Sequence, residues 1–176
     1  VRGVLEATRP TQMEELIRIA GLTHGTDVWL NNAEPLVMNG IAKLSEVICT
    51  RDDIMNYLIA HGMEAKLSFT IMERVRKGKG LTPEMEKALN DQQIPAWFID
   101  SCKKIKYMFP RGHAVAYATM SYRIAYYKVH HPLAFYADAL GVTPDHLSRS
   151  CRSLTKQSAL QLLHERLLLE ARRLLA

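Results

Sequence analysis

The sequence is short of cysteine and of long apolar runs, and each shortage excludes a class of protein. Its three cysteines, Cys49, Cys102 and Cys151, are far apart and odd in number, which argues against a disulfide framework. No apolar run approaches ~18 residues, so no segment is expected to span a membrane. We therefore expect a cytoplasmic protein with no membrane partner. The chain opens on Val1 without an initiator methionine or a signal-peptide pattern, which is typical of a piece of a longer protein.

Strand signals are missing as well. No segment alternates apolar and polar residues for long enough to indicate a half-buried strand, and no internal repeat or low-complexity tract appears. With 176 residues, 48% of them hydrophobic, the chain is long enough to bury a real core. We predict an all-α fold: a compact domain of about seven to ten helices, ending in a helix-turn-helix-like unit and a long leucine-rich C-terminal helix.

Helix starts and stops are signalled by capping residues, prolines and glycines. Thr11 and Glu14 form a capping-box pattern for a first helix over residues 11–20, and Gly21 is expected to end it. Residues 21–29, GLTHGTDVW, then read either as a phosphate-holding loop or as a turn with His24 or Trp29 packed beneath. The same signals indicate further helix starts at four places: Thr50 with Asp53, Thr82 before Pro83, Thr143 before Pro144, and Ser158 with Gln161.

No arrangement of side chains in the sequence indicates catalysis or a metal site. The Asp52-Asp53 pair lies at a helix start, where carboxylates satisfy backbone amides and the helix dipole. His130 and His131 are adjacent, so on a helix their side chains diverge by about 100° and cannot share one ion without distortion. We therefore expect no enzyme activity, no metal and no cofactor.

Residues 101–132 contain no negatively charged side chain, and this makes them the most informative stretch of the sequence for function. They contain six basic residues and no acid, interleaved with tyrosines and histidines. Such a segment indicates an anionic partner with aromatic faces, namely nucleic acid or a nucleotide. Residues 113–131 read as one helix, with His113 and Tyr117 one turn apart on the same face. An adjoining face of small side chains would let a neighbouring helix approach closely: Ala114, Ala118, Ser121 and Ala125.

Residues 74–80, RVRKGKG, place four cations around two glycines at a predicted helix end. Two interpretations fit equally well. Cations and glycine are both favoured at helix C-termini for structural reasons alone. The alternative is a mobile basic clamp on DNA phosphates or a triphosphate.

Residues 103–137, KKIKYMFPRGHAVAYATMSYRIAYYKVHHPLAFYA, resemble the fingers region of the PolC-type bacterial DNA polymerase III alpha subunit. The resemblance extends upstream through GLTHGTDVW, LSEVICTRDDIMNYLI and ERVRKGKGLTPEMEKAL, and covers residues 1–137. It implies a polymerase-fingers-like helical region over residues 1–136. In that family the metal-binding carboxylates belong to the palm, so the resemblance implies a non-catalytic fragment.

The same resemblance implies weak, salt-sensitive binding of DNA, or binding of the incoming nucleotide. His113 and Tyr117 would face the nucleotide or base pair. Arg111-Gly112 stands where the family usually has lysine followed by alanine or serine, which keeps the charge but alters the helix start. The residues implied to bind phosphates are Arg74, Arg76, Lys77, Lys79, Lys103, Lys106 and Arg111.

Residues 133–176 resemble instead the first helix-turn-helix and linker helix of an AraC/XylS-type transcription regulator. This implies a C-terminal unit over residues 137–176. Asp145, Ser148 and Arg149 would read bases and Arg152 would meet phosphate. Two residues depart from the pattern, Ser150 at an inward apolar position and Lys156 at the usual glycine, and the second helix-turn-helix of the family is missing.

Three hypotheses remain open. The chain is a polymerase fingers fragment, a sequence-reading DNA-binding module, or an artificial chimera with no function beyond its own packing. The last includes a homo-oligomer formed through the leucine-rich helix, whose apolar positions include Leu160, Leu163, Leu167, Ala171 and Leu174.

Overall fold

The computed structural model describes residues 1–175; nothing is described of residue 176 or of the side chains of residues 170, 171 and 173–175. All regular structure in the described part is helical, as expected, although one isolated bridge pairs Thr26 with Tyr107. The α-helices are α1 (Arg2–Thr8), α2 (Met13–His24), α3 (Glu34–Met38), α4 (Arg51–Ala60), α5 (Ala65–Arg76), α6 (Pro83–Asp91), α7 (Ala96–Lys104), α8 (Arg111–His130), α9 (Pro132–Ala139), α10 (Pro144–Thr155) and α11 (Ala159–Leu175).

The described residues form eleven α-helices, more than the seven to ten expected. An irregular turn, Trp29–Ala33, in which Leu30 and Asn31 have non-helical backbone angles, precedes α3. The count was too low partly because α1 carries no start signal. Its N-cap position is Val1, which has no side chain able to accept a hydrogen bond from the first turn.

The described chain forms two compact units, residues 1–119 and residues 120–176, and helix α8 contributes to both. The boundary expected between residues 136 and 137 separates two family resemblances and stays a prediction. None of the described helices combines the length and the apolar character needed to cross a membrane.

Most of the predicted caps are formed. Thr50 and Asp53 make a reciprocal capping box at the start of α4. The hydroxyl of Thr82 accepts a hydrogen bond from the Met85 amide at 3.3 Å. In the second unit, Thr143 caps α10, and Ser158 and Gln161 exchange both hydrogen bonds of a box before α11: Ser158 N–H to Gln161 Oε1 at 2.8 Å, and Gln161 N–H to Ser158 Oγ at 3.2 Å.

The predicted limits of the first long helix, α2, were wrong at both ends. Its capping box is formed by Gln12 and Glu15, one residue later than the Thr11 and Glu14 expected. The helix also continues through Gly21 as far as His24, because an interior glycine costs only about 1 kcal/mol and here permits close packing. A Cβ on Gly21 would lie 2.6 Å from the carbonyl oxygen of Cys49.

The first unit is built around one large apolar core. Its fully buried side chains include Leu22, Val47, Ile48, Ile54, Leu58, Ile71, Val75, Leu89, Phe98 and Ile105. A smaller cluster packs α2 against the start of α8, with Ile17 and Ala20 facing Ala114 and Ala118. The expected small-residue face is therefore buried over its first two positions, whereas Ser121 and Ala125 are exposed.

The second unit packs α9, α10 and α11 against one another around Ala137 and Ala159. Helix α10 has no fully buried residue. Lys156 takes a left-handed backbone conformation with φ 64° at the end of α10, the position at which a glycine was expected. The helix therefore ends as the pattern requires, at the cost of some backbone strain.

Candidate nucleic-acid interface

Two basic segments that lie far apart in the sequence touch each other in the first unit. Residues 74–80 form the end of α5 and the loop after it, which we call the basic loop. Gly78 in this loop has φ 68°, and a Cβ there would lie 3.1 Å from both Cα and the carbonyl carbon of Lys106. The amide of Met108 donates to the carbonyl of Arg76 at 3.4 Å. The basic loop therefore rests directly on the extended segment after α7.

The same extended segment is held on its other side by the residues that follow α2. The amide of Thr26 donates to the carbonyl of Tyr107 at 2.8 Å, and the amide of Lys106 donates to the carbonyl of Thr26 at 3.1 Å. A Cβ on Gly25 would lie 2.8 Å from the Tyr107 carbonyl, so only glycine fits there. Gly25 of the segment 21–29 thus allows two backbone segments to pack closely. The Thr26 amide already donates to Tyr107, so it is not available to hold a phosphate.

A cluster of four rings lies beside this contact: His24, Phe109, His113 and Tyr117, called the ring cluster below. His113 is at its centre, stacked on Phe109 with centroids 4.5 Å apart and planes 21° apart. Its centroid lies 4.4 Å from that of Tyr117 and 5.5 Å from that of His24. Tyr117 is 45% exposed and His24 is exposed as well, and Tyr107, 46% exposed, meets Phe109 edge-on with centroids 5.1 Å apart, so the cluster is accessible at more than one ring.

The imidazole of His113 has one unsatisfied nitrogen. Nδ1 is buried and has no hydrogen-bond partner among the residues that the structure describes. His113 and the 45% exposed Tyr117 therefore do not form a fully satisfied buried pair. A buried polar atom without a partner costs stability, and such atoms are uncommon in folded proteins.

The start of α8 is fixed by carboxylates from two other helices. Asp52 Oδ2 accepts from the backbone amide of Arg111 at 2.6 Å. Both oxygens of Glu14 accept from Nη2 of Arg111, at 2.8 and 2.7 Å. This hydrogen bonding raises the pKa of the Arg111 guanidinium above its usual range. The N-terminus of α8 is thus occupied by a protein carboxylate.

Several of the expected phosphate-binding cations already have acidic partners. Glu73 accepts from Nη2 of Arg76 at 2.9 Å and from Nζ of Lys77 at 2.9 Å, and these contacts, Arg76 first, lower the pKa of Glu73 to about 2. Lys103 pairs with Glu86 at 2.7 Å. Part of the positive charge counted from the sequence is therefore neutralised locally.

The remaining cations of the interface have no acidic partner within the described residues. Arg74 donates to the carbonyls of Lys79 and Gly80, both at 3.3 Å, and so closes the basic loop on itself. Lys79 and Lys106 are exposed and form no ion pair with any side chain that the structure describes. Because Gly78 lies against Lys106, these two lysines come from neighbouring backbone segments.

Comparison with known proteins identifies the family. Residues 1–94 match the model of the bacterial DNA polymerase III alpha subunit finger domain. The chain belongs to this family. This confirms the fingers resemblance, which the motifs around residues 21–59, 73–89 and 103–137 had indicated.

The finger-domain chain is closely similar to PolC-type DNA polymerase III proteins. It is 64% identical to that of Thermotoga maritima over 137 residues, which are 78% of this chain and 10% of the relative. It is 60% identical to that of Bacillus subtilis over 145 residues, 82% of this chain and again 10% of the relative. The chain thus spans about a tenth of the length of these relatives. Nothing in the comparisons supports the resemblance of residues 133–176 to AraC/XylS-type regulators, which stays a prediction.

The second unit of this finger-domain chain places the expected base-reading residues on α10. Asp145, Arg149 and Arg152 are exposed, whereas Ser148 is half-buried. A shallow cavity on this helix is lined by His146, Arg149, Ser150, Ser153 and Leu154. Of the leucine-rich face, Leu160 and Leu167 are exposed and Leu163 is half-buried, and the side chains of Ala171 and Leu174 lie outside the described residues.

Three contributors to the candidate interface were missed from the sequence. Phe109 lies four residues before His113 inside the recognised motif, and that spacing could have indicated the stack. His24 was placed in a loop, although it ends α2 and reaches the ring cluster. Glu14 was assigned to a capping box, so its pairing with Arg111 was not considered.

Proposed function

We propose that this chain is the non-catalytic fingers element of a replicative DNA polymerase and binds the phosphates of DNA or of an incoming nucleotide. The observation that carries the proposal is the contact of the basic loop with residues 105–109. It brings unpaired cations beside a cluster of aromatic rings. Cations that follow a backbone, next to rings on which bases can stack, are the general means of binding nucleic acid without reading its sequence.

Within this proposal, Lys79 and Lys106 are the principal phosphate contacts, because no acid of the described chain competes for them. Arg74 closes the basic loop and contributes to phosphate binding by fixing the shape of that loop. The other four cations contribute less, because each pairs with a carboxylate: Arg76, Lys77, Lys103 and Arg111.

His113 and Tyr117 are proposed to border the base or base pair. Tyr117 is an exposed ring of the ring cluster and neighbours His113 on α8, so it offers a base a surface on which to stack. His113 is half-buried and held between Phe109 and Tyr117, so it would act mainly by keeping Tyr117 in place.

The test is a double substitution, Lys79→Ala with Lys106→Ala, in the 176-residue chain. Binding of labelled primer-template DNA is measured by fluorescence anisotropy over a salt series. If each lysine meets one phosphate, the slope of log K against log salt becomes shallower by about 0.9 per lysine on duplex DNA. The control removes the same charge elsewhere, with Lys66→Ala and Lys87→Ala on α5 and α6, where both side chains are exposed. Equal losses in both variants would refute a localised interface.

A second candidate function is a sequence-reading helix-turn-helix over residues 143–152. It is favoured by one observation, the exposure of Arg149 and Arg152 on a capped helix whose preceding turn has Gly141 at φ 66°. Under this proposal Arg149→Ala should relax sequence preference, whereas under the fingers proposal it should change nothing. A specific site found by random-sequence selection, and lost with Arg149→Ala, would establish the second function.

Two further expectations stay proposals. Exposed Leu160 and Leu167 would support a homo-oligomer through α11, which sedimentation at several protein concentrations would test. A cytoplasmic location follows from a role in replication. If the folded chain binds no nucleic acid at all, only the packing scaffold of the third hypothesis remains.

A further inference from the structure

The second half of helix α8 is exposed on every side. Each residue from 120 to 131 is exposed, although most of them are apolar or aromatic. Tyr126 and Tyr127 are 45% and 54% exposed. Helices that are apolar on all faces are normally buried, and a large exposed apolar patch marks an interaction site. We therefore expect a partner to cover this part of the helix.

One face of this part of α8 combines three rings with a cation. Arg123, Tyr126, Tyr127 and His130 have the spacing i, i+3, i+4 and i+7, so their side chains leave the helix within about 100° of one another. We call these four residues the terminal ring face. The ring centroid of Tyr126 lies 4.5 Å from that of His130 and 6.0 Å from that of Tyr127. The planes of the two tyrosines are 89° apart, so the rings present flat surfaces in two directions.

The charge of the terminal ring face restricts the chemistry of its partner. The guanidinium of Arg123 is exposed and forms neither an ion pair nor a hydrogen bond with any side chain that the structure describes. The sequence contains no acid between Asp100 and Asp138. The partner must therefore supply negative charge beside flat apolar surfaces. Unpaired bases on a phosphate backbone have both properties, whereas the base faces of a duplex are already stacked on each other.

We propose that the terminal ring face binds single-stranded nucleic acid, with bases stacked on Tyr126 and Tyr127 and a phosphate at Arg123. This site goes beyond the proposed function, because its four residues lie in the second unit and belong neither to the basic loop nor to the ring cluster. Every base has a face that can stack on a ring, so the binding should depend little on sequence.

The test compares two double substitutions of the same tyrosines in the whole chain. Tyr126→Leu with Tyr127→Leu keeps apolar side chains but removes the rings, whereas Tyr126→Phe with Tyr127→Phe keeps the rings. Fluorescence anisotropy measures the affinity for a labelled oligothymidylate of about 15 nucleotides, and circular dichroism verifies that each variant is folded. We expect the leucine pair to weaken binding about tenfold and the phenylalanine pair to leave it within about twofold. The same ratio is expected when Lys79→Ala and Lys106→Ala are also present.

The cation of the terminal ring face is tested separately. If Arg123 meets one phosphate, Arg123→Gln should make the slope of log K against log salt shallower by about 0.7 on the oligothymidylate. The matched control is Lys128→Gln, which removes one exposed charge from the same helix at about 140° around its axis from Arg123. It should leave the slope unchanged. Equal changes in both variants would show attraction that is not localised and would overturn the site.

The remaining outcomes separate this inference from the proposed function. Equal affinity of the leucine and phenylalanine pairs for the oligothymidylate would overturn the terminal ring face as a stacking site. Self-association that the leucine pair weakens, with unchanged affinity for the oligothymidylate, would assign the face to a protein contact and overturn it as well. If the folded chain binds duplex but not the oligothymidylate, the inference fails and the proposed function stands. If the rings are needed for binding but Lys79→Ala with Lys106→Ala changes nothing, the inference stands and the proposed function fails.

Discussion

The two glycines of the basic loop should respond very differently to the same substitution. Gly78 and Gly80 both have positive φ, 68° and 62°. A Cβ on Gly80 would meet nothing within 4 Å, whereas a Cβ on Gly78 would collide with the backbone of Lys106. Alanine at either position therefore carries the strain of a left-handed backbone, but only Gly78→Ala also forces the two basic segments apart.

The expected magnitudes follow from these two terms. An L-residue in the left-handed region costs about 1 kcal/mol, which is the whole cost expected for Gly80→Ala. Overpacking against backbone that must move adds roughly 2 kcal/mol, so Gly78→Ala should lower the free energy of unfolding by about 3 kcal/mol. For a chain of this length, the difference between the variants corresponds to roughly 4–8 °C in Tm.

Urea unfolding followed by tryptophan fluorescence measures the stability of the first unit, because Trp29 and Trp97 both lie in residues 1–119. Gly78→Ala should also weaken DNA binding under native conditions, since it displaces the basic loop from Lys106. Equal destabilisation by Gly78→Ala and Gly80→Ala would refute the close approach of the two segments, and with it the assembly of the interface.

Other measurements test the charges and thiols. Glu73→Gln removes the carboxylate that neutralises two cations of the basic loop, so DNA affinity measured by anisotropy should rise and its salt dependence should steepen. Because the pKa of Glu73 is lowered to about 2, its ion pairs stabilise the fold above pH ~4.5 and are lost as the pH falls towards 2. Acid titration of urea stability should therefore show a smaller loss of stability in Glu73→Gln than in the unaltered chain, because the pKa values of Glu15 and Glu84 are also lowered and remain so in the variant. Burial raises the pKa of the Cys49 and Cys102 thiols, so brief iodoacetamide treatment of the native chain should modify Cys151 alone by mass spectrometry. Modification of all three native thiols would contradict the described core.

Local signals predicted the helix starts well, because a cap depends only on residues three or four apart. Local signals could not decide which of two adjacent acids forms the capping box of α2. Glu14 and Glu15 both stand three residues after a residue able to cap, so the sequence offers two registers for the box. The structure uses Glu15, and Glu14 pairs instead with Arg111, 97 residues away.

Because sequence signals are local, they indicated the residue types of the candidate interface but not which segments lie next to each other in it. One-signed charge and ring spacing in residues 101–132 indicated an anionic partner. The close approaches of Gly21 to Cys49 and of Gly78 to Lys106 are long-range contacts, and a glycine in the sequence signals a turn as readily as a contact. Counting cations also overestimated the available charge. The pairs of Glu73 with Arg76 and Lys77 have the i,i+3 and i,i+4 spacing of a helix and could have been predicted, whereas those of Lys103 with Glu86 and of Arg111 with Glu14 have no local signal.

The most direct test of the central claim is the salt dependence of binding by the unaltered chain. Fluorescence anisotropy of labelled primer-template, duplex and single-stranded DNA is measured against the whole chain, and circular dichroism verifies that it is folded. We expect binding that weakens steeply with salt, ignores sequence and is competed by inorganic tripolyphosphate. A folded chain that leaves the anisotropy flat at the lowest salt concentration would contradict the assignment of this surface to nucleic acid.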